Sequence, residues 1–137
     1  MEWAVVSCGH FRSQTQAQDG EVQFATWEDI LRKRASGESV QILWTQIKSP
    51  QRALEKLVRC YGYDASKLTD CCRESIYFRH PKDMVCCLEA ILADKHIRVT
   101  RIKNRMDPDS DAFYSGGFRN VLLNLRIDSD ETRRFGV

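Results

Sequence analysis

The hydrophobic and polar positions of this chain change period several times, and each change marks an element. After a short apolar run, Trp3 to Val6, the sequence turns polar and glutamine-rich through Gln14, Gln16, Gln18 and Gln23, so residues 1–25 are expected to hold a marginal N-terminal strand and a loose polar linker. Thr26 followed three residues later by Asp29 is a capping-box pattern that opens a helix, and Gly37 supplies its stop. Trp27, Ile30 and Leu31 make the apolar side of that helix; Arg32, Lys33 and Arg34 make a solvated one. Val40, Ile42 and Trp44 alternate with polar neighbours, as a half-buried strand does. Ser49 and Pro50 then suit the cap and first position of a second helix, which runs to about Cys60 and ends at Gly62.

Between Lys67 and Phe78 the chain passes from a turn into a short strand, Ser75 to Phe78. Pro81 to Ala93 is patterned as an amphipathic helix with Val85, Leu88, Ile91 and Leu92 buried and Met84, Cys86 and Cys87 filling the core. Ile97 and Val99, with Thr100 ambiguous between the two sets, interleave with Arg98, Arg101, Lys103 and Arg105 as a strand with a wet, basic side. A polar loop through Asp107, Asp109 and Asp111 and a Gly116-Gly117 turn lead to a last apolar strand, Val121 to Ile127. Strand, helix, strand from Ser75 to Ile97 suggests a crossover. The expected fold is α+β, or α/β, with a mixed β-sheet of about four strands flanked by helices. One domain spans 26–127, and 128–137 is a polar tail.

Composition narrows the classes. A chain of 137 residues suits one modest core. A net charge of +2 supplies no global field, so nucleic acid is not an expected partner. No apolar run approaches the roughly 18 residues of a membrane helix and the N-terminus lacks the basic start of a secretory signal, so no membrane partner and a cytoplasmic location are expected. The six cysteines include two adjacent pairs and no C-x-x-C. Adjacent residues on a regular element point apart, so they read as small buried thiols in a reducing compartment before they read as a zinc site. His10, His80 and His96 lack partners at ligand spacing and are expected at the surface.

Local charge changes the picture more than the total does. Lys48, Arg52, Lys56 and Arg59 recur every three or four residues and, at about 100° per residue, fall within an arc of roughly 80°. Leu54, Leu57, Val58 and Tyr61 occupy the other side. The strip starts at a helix N-terminus, where N–H groups and the macrodipole favour phosphate. On the residues alone, anion binding and a solvated face stand level. Arg101 and Lys103, with Gly116-Gly117-Phe118 at the far end of the loop, outline a second place for an anionic, ring-bearing ligand.

Arg101-Ile102-Lys103-Asn104 followed by Gly117-Phe118-Arg119-Asn120 resembles the paired signature R-F/I-K-D and G-Y-x-S-x-H of RelA/SpoT-type alarmone synthetase domains, and the likeness extends back to about Gln46. The resemblance implies a nucleotidyltransferase-like fold that transfers pyrophosphate from ATP to the 3′-hydroxyl of GDP or GTP, giving guanosine tetraphosphate or its relative. Lys48 and Lys56 match the family motif that cradles the donor phosphates, with Gln46 in place of its arginine and Arg52 in place of its serine. Asp70 matches the aspartate that holds the catalytic magnesium, and Arg73 lies two residues before the family arginine, at whose place stands Ser75. Arg101 and Lys103 would line the acceptor cleft, Phe118 replaces the tyrosine that stacks on guanine, and Asn120 stands for the serine. Asn104 replaces an acid, Leu122 replaces the histidine, and no E-x-Q follows Ile127. These departures support the second reading, a catalytically inactive module that binds a nucleotide or a protein.

Overall fold

Side-chain caps decide where the main helices begin. Thr26 accepts a hydrogen bond from the Asp29 backbone N–H (3.2 Å) and donates to the Asp29 carboxylate (2.7 Å), which opens a helix over Trp27–Ala35. Ser49 accepts from the Arg52 N–H, Pro50 takes the first position, and Gly62 closes the helix Pro50–Tyr61 in the left-handed conformation (φ 56°). The computed structural model of the chain describes residues 2–15, 21–110, 113 and 116–134; Gln16, Gln18 and Asp111 lie outside the described residues. The elements in chain order are α1 (Glu2–Val6), β1 (His10–Thr15), β2 (Val22–Thr26), α2 (Trp27–Ala35), β3 (Val40–Ile42), α3 (Pro50–Tyr61), a 3-10 turn (Ala65–Lys67), α4 (Pro81–Ala93), β4 (Ile97–Asn104), β5 (Val121–Ile127) and α5 (Asp130–Arg134). They form two units, Met1–Leu88 and Glu89–Val137.

In the first unit the order β2-β1-β3 makes an antiparallel sheet, with Ser13 opposite both Gln23 and Ile42. Ala4, Phe11, Ala25, Ile30, Val40 and Ile42 form the core, and Trp27 and Ile76 pack against it. The Phe11 ring meets those of Trp27 and Trp44 edge-on, at 6.4 and 5.9 Å. Trp3 to Val6 is helical, not a strand: four apolar residues carry no decisive period, and the Ser7 hydroxyl donates back to the Trp3 carbonyl at 2.6 Å. The stretch read as a polar linker holds β1 and β2. Their polarity hid them, because β1 is the central strand and buries the small side chains of Ser13 and Thr15 beside Phe11. His10 is likewise buried, not at the surface.

Ser75 to Phe78 contributes a single antiparallel bridge, with the N–H groups of His10 and Tyr77 donating to each other's carbonyls at 2.7 and 3.0 Å. The crossover onto a mixed sheet is therefore absent among the described residues. The chain is α+β with two small antiparallel sheets instead of one mixed sheet of four strands. α4 has the expected limits, but its buried positions are Cys87 and Ile91, while Val85 and Leu92 are 47% and 61% exposed and Cys86 is exposed as well. Of the cysteines expected to be buried, Cys8, Cys60 and Cys72 are also exposed, and all six are free thiols. Among the described residues no helix is long and apolar enough to cross a membrane.

Gly9 shows how tightly α1 is held. A Cβ there would lie 2.6 Å from Ile76 Cγ2 and 3.0 Å from both the Ala4 Cβ and its carbonyl oxygen. Gly9→Ala is expected to lower the urea-unfolding free energy by about 1–2 kcal/mol, the range of an overpacked core.

The second unit is built on the pair β4–β5, from Ile97 opposite Ile127 to Asn104 opposite Val121. One extra residue, Thr100, sits between the pairs Val99–Leu125 and Arg101–Asn124, and its hydroxyl donates to the Asn124 carbonyl at 3.1 Å. Opposed residues share a face, so this bulge keeps Arg98, Arg101 and Lys103 on one side of the ribbon and Ile97, Val99 and Ile102 on the other. Without it, the alternation would reverse half-way. The stretch expected to be a polar tail contains α5, which Ser129 and Thr132 cap reciprocally, each hydroxyl accepting from the other's backbone N–H.

Candidate functional site

The first unit carries a cleft of about 460 Å³ on the cationic side of α3. One long-range hydrogen bond prepares it: the Lys48 N–H donates to the Cys71 carbonyl at 2.9 Å, tying the segment after the 3-10 turn to the residues that lead into α3. Asp70 is thereby set against the strip. Its Oδ2 lies 2.6 Å from Lys48 Nζ and 2.5 Å from Lys56 Nζ. Lys56 Nζ also sits 5.4 Å from the centroid of the Tyr61 ring, in cation–π range. Arg52, Arg59 and Arg73 line the same cleft, with Gln46, Ser49, Glu55, Cys60 and Cys71.

Charge in the cleft is unbalanced. Five cationic side chains face two carboxylates, and Glu55 is engaged by Arg52 at 3.0 Å. Hydrogen bonds from Lys48 and then Lys56 hold the Asp70 carboxyl down to about 2, against a burial effect of opposite sign. The same contact, led by the Asp70 hydrogen bond, raises Lys56 above the usual lysine range. Asp70 is thus a carboxylate at all physiological pH values, and Lys56 beside it is held in its charged form. Its Oδ1 is buried and, among the described residues, has no hydrogen-bond partner.

That arrangement is a poor magnesium site. The ion takes oxygen ligands, commonly one or two carboxylates plus phosphate. Here Oδ2 of the single available carboxylate is shared by two ammonium groups, whose charge would repel a dication brought to the same oxygen. Among the described residues no three His, Cys, Asp or Glu side chains gather at metal-ligand spacing. The donor set around Asp70 does not fit a protein-held magnesium ion.

The residues singled out in the sequence divide between the units. Lys48, Arg52, Lys56, Asp70 and Arg73 come together in the cleft. In the second unit Arg101 and Lys103 share a shallow depression of about 180 Å³ with Leu122 and Asn124, and neither Phe118 nor Asn120 lines it. Phe118 follows Gly116 and Gly117, which turn the chain with φ 62° and 82°, and is 63% exposed. Asn120 buries its Oδ1 with no partner among the described residues, while its backbone carbonyl accepts from the Arg105 N–H at 2.8 Å. Glu55 is the acid the sequence sets beside the cationic strip. Cys71 escaped the sequence reading, since its carbonyl matters only through a contact distant in the chain.

Comparison of the chain with family models, with curated proteins and with solved structures gives no match. The resemblance to alarmone synthetase domains rests on the quoted residues alone.

Proposed function

We propose that the cleft beside α3 binds the phosphate groups of a nucleotide, with ATP as the model ligand, and that the chain acts there as a nucleotide-binding module without catalysis. The supporting observation is the convergence of Lys48, Arg52, Lys56, Arg59 and Arg73 on a hollow whose size suits a small ligand. Contacts would come from side chains more than from the helix end: Pro50 has no N–H, and the Arg52 N–H already bonds the Ser49 hydroxyl. Arg52 and Arg73 offer forked donors matched to phosphate oxygens, and the two lysines add point charge. An arriving phosphate meets Lys48 and Lys56 already paired with Asp70, so it must share or displace that carboxylate.

Pyrophosphate transfer to GDP or GTP, the activity implied by the resemblance, is left out of this reading. It would require Arg101, Lys103, Phe118 and Asn120 to hold an acceptor and Asp70 to hold magnesium, and Leu122 cannot do the hydrogen bonding of an imidazole. Calorimetric titration of the intact chain with ATP in EDTA tests the proposal. Saturable binding is expected, weakened about tenfold by Lys48→Met, the worth of one charge-assisted hydrogen bond. Unchanged affinity in that variant would overturn it, as would an absence of binding at about 1 mM ATP.

A further inference from the structure

The basic face of β4–β5 belongs to the second unit, shares no residue with the cleft and calls for a different ligand. Arg98 lies directly opposite Arg126, Arg101 opposite Asn124, and Lys103 opposite Leu122, so six side chains share one face and four of them are cations. All four cations are exposed, and among the described residues none of them forms an ion pair. Like charges directly opposite each other destabilise a strand pair. A ribbon that sets Arg98 across from Arg126 carries a cost that an anionic partner would remove. Asp128, near one end, is engaged by Arg133 at 2.6 Å and reaches Arg98 and Arg126 only through space.

We propose that this face binds the sugar-phosphate backbone of duplex DNA. At about 3.3 Å per residue, Arg98 to Lys103 spans roughly 15 Å, a length of duplex along which each strand presents about four phosphates. The depression between Arg101, Lys103, Leu122 and Asn124 measures about 180 Å³, smaller than the pockets that enclose free nucleotides, so a polymer laid along the surface fits better than a mononucleotide. None of the six side chains on the face is aromatic, which disfavours single strands held by base stacking. A two-stranded ribbon has the width that a B-form major groove admits, whereas the A-form major groove is too deep and narrow. The exposed apolar side chains Ile102, Leu125 and Ile127 occupy the opposite face and Leu122 is the one apolar member of the basic six, so a membrane would meet the charge with little apolar surface beside it. Net charge conceals the feature, because the acids near Asp107 and Asp130 cancel the ribbon in the sum.

The test is fluorescence anisotropy of a labelled DNA duplex with the full chain across a salt series. Four phosphate contacts predict a slope of log affinity against log salt near about −3.6, less steep by about 2 in Arg98→Gln/Arg126→Gln and again in Arg101→Gln/Lys103→Gln. Arg98→Lys/Arg126→Lys should retain the full slope, which separates loss of charge from loss of folding. The proposal is overturned if both glutamine variants keep the wild-type slope, if Lys48→Met abolishes DNA binding, or if the duplex is not retained at about 50 mM salt. Tighter binding to a single-stranded oligonucleotide, to duplex RNA or to anionic vesicles than to duplex DNA would also overturn it.

Discussion

Asp70→Asn is expected to tighten ATP binding about tenfold while lowering the stability of the first unit by about 1–2 kcal/mol. The carboxylate now occupies the two ammonium groups that a phosphate would use, so its removal frees them for ligand and removes a competing negative charge from the cleft. The stability loss follows from the same contact. Lys48 and Lys56 hold the Asp70 carboxyl at about 2 instead of 3.8, and a depressed carboxyl stabilises the fold above its unfolded value. In the natural chain that contribution is present at neutral pH and lost as pH falls from about 4 towards 2; in the asparagine variant the loss across this window should be smaller, leaving the share of the other lowered carboxyls, Asp29 and Asp64 among them. Calorimetry and urea unfolding at several pH values read both effects. A magnesium-holding Asp70 makes the opposite prediction for affinity: the substitution would then weaken ATP binding in the presence of magnesium.

Ile30→Ala should cost about 3–4 kcal/mol in urea unfolding, the largest effect of any substitution considered. Ile30 has no exposed surface and sits on α2 among Phe11, Val40 and Ile42, the side chains that join the helix to both β1 and β3. The cavity left by three carbons would have no neighbour able to collapse into it, since Phe11 is already fixed between two tryptophan rings. Against the about 5–15 kcal/mol of net stability usual for a domain, that loss is a large share of what keeps the first unit folded. Substituting Leu31 on the same helix, which is largely exposed, should change unfolding by less than about 0.5 kcal/mol.

What could be read from the sequence was local. Thr26, Ser49, Pro50 and Gly62 announce α2 and α3 through caps that act within five residues, and the limits of α4 and β5 follow from periodicity in the same way. β1 escaped because a central strand flanked on both sides can bury Ser13 and Thr15, leaving Phe11 as its one large apolar side chain. The bulge at Thr100 escaped because it belongs to the pairing of β4 with β5 and not to either strand alone. In the cleft, the strip on α3 and the solitary Asp70 were each visible. Their union was not, since it depends on a backbone bond between Lys48 and Cys71 that nothing in the intervening residues encodes locally.

In the proposed complex Lys48 and Lys56 together receive the phosphates. The most direct measurement follows the side-chain Nζ resonances of the lysines by NMR while ATP is added in EDTA. Lys48 and Lys56 should shift together and saturate at one ATP per chain, with Lys33 on α2, whose Nζ donates to Gln23 on β2, unmoved. ATP binding that leaves both cleft lysines unshifted would contradict it.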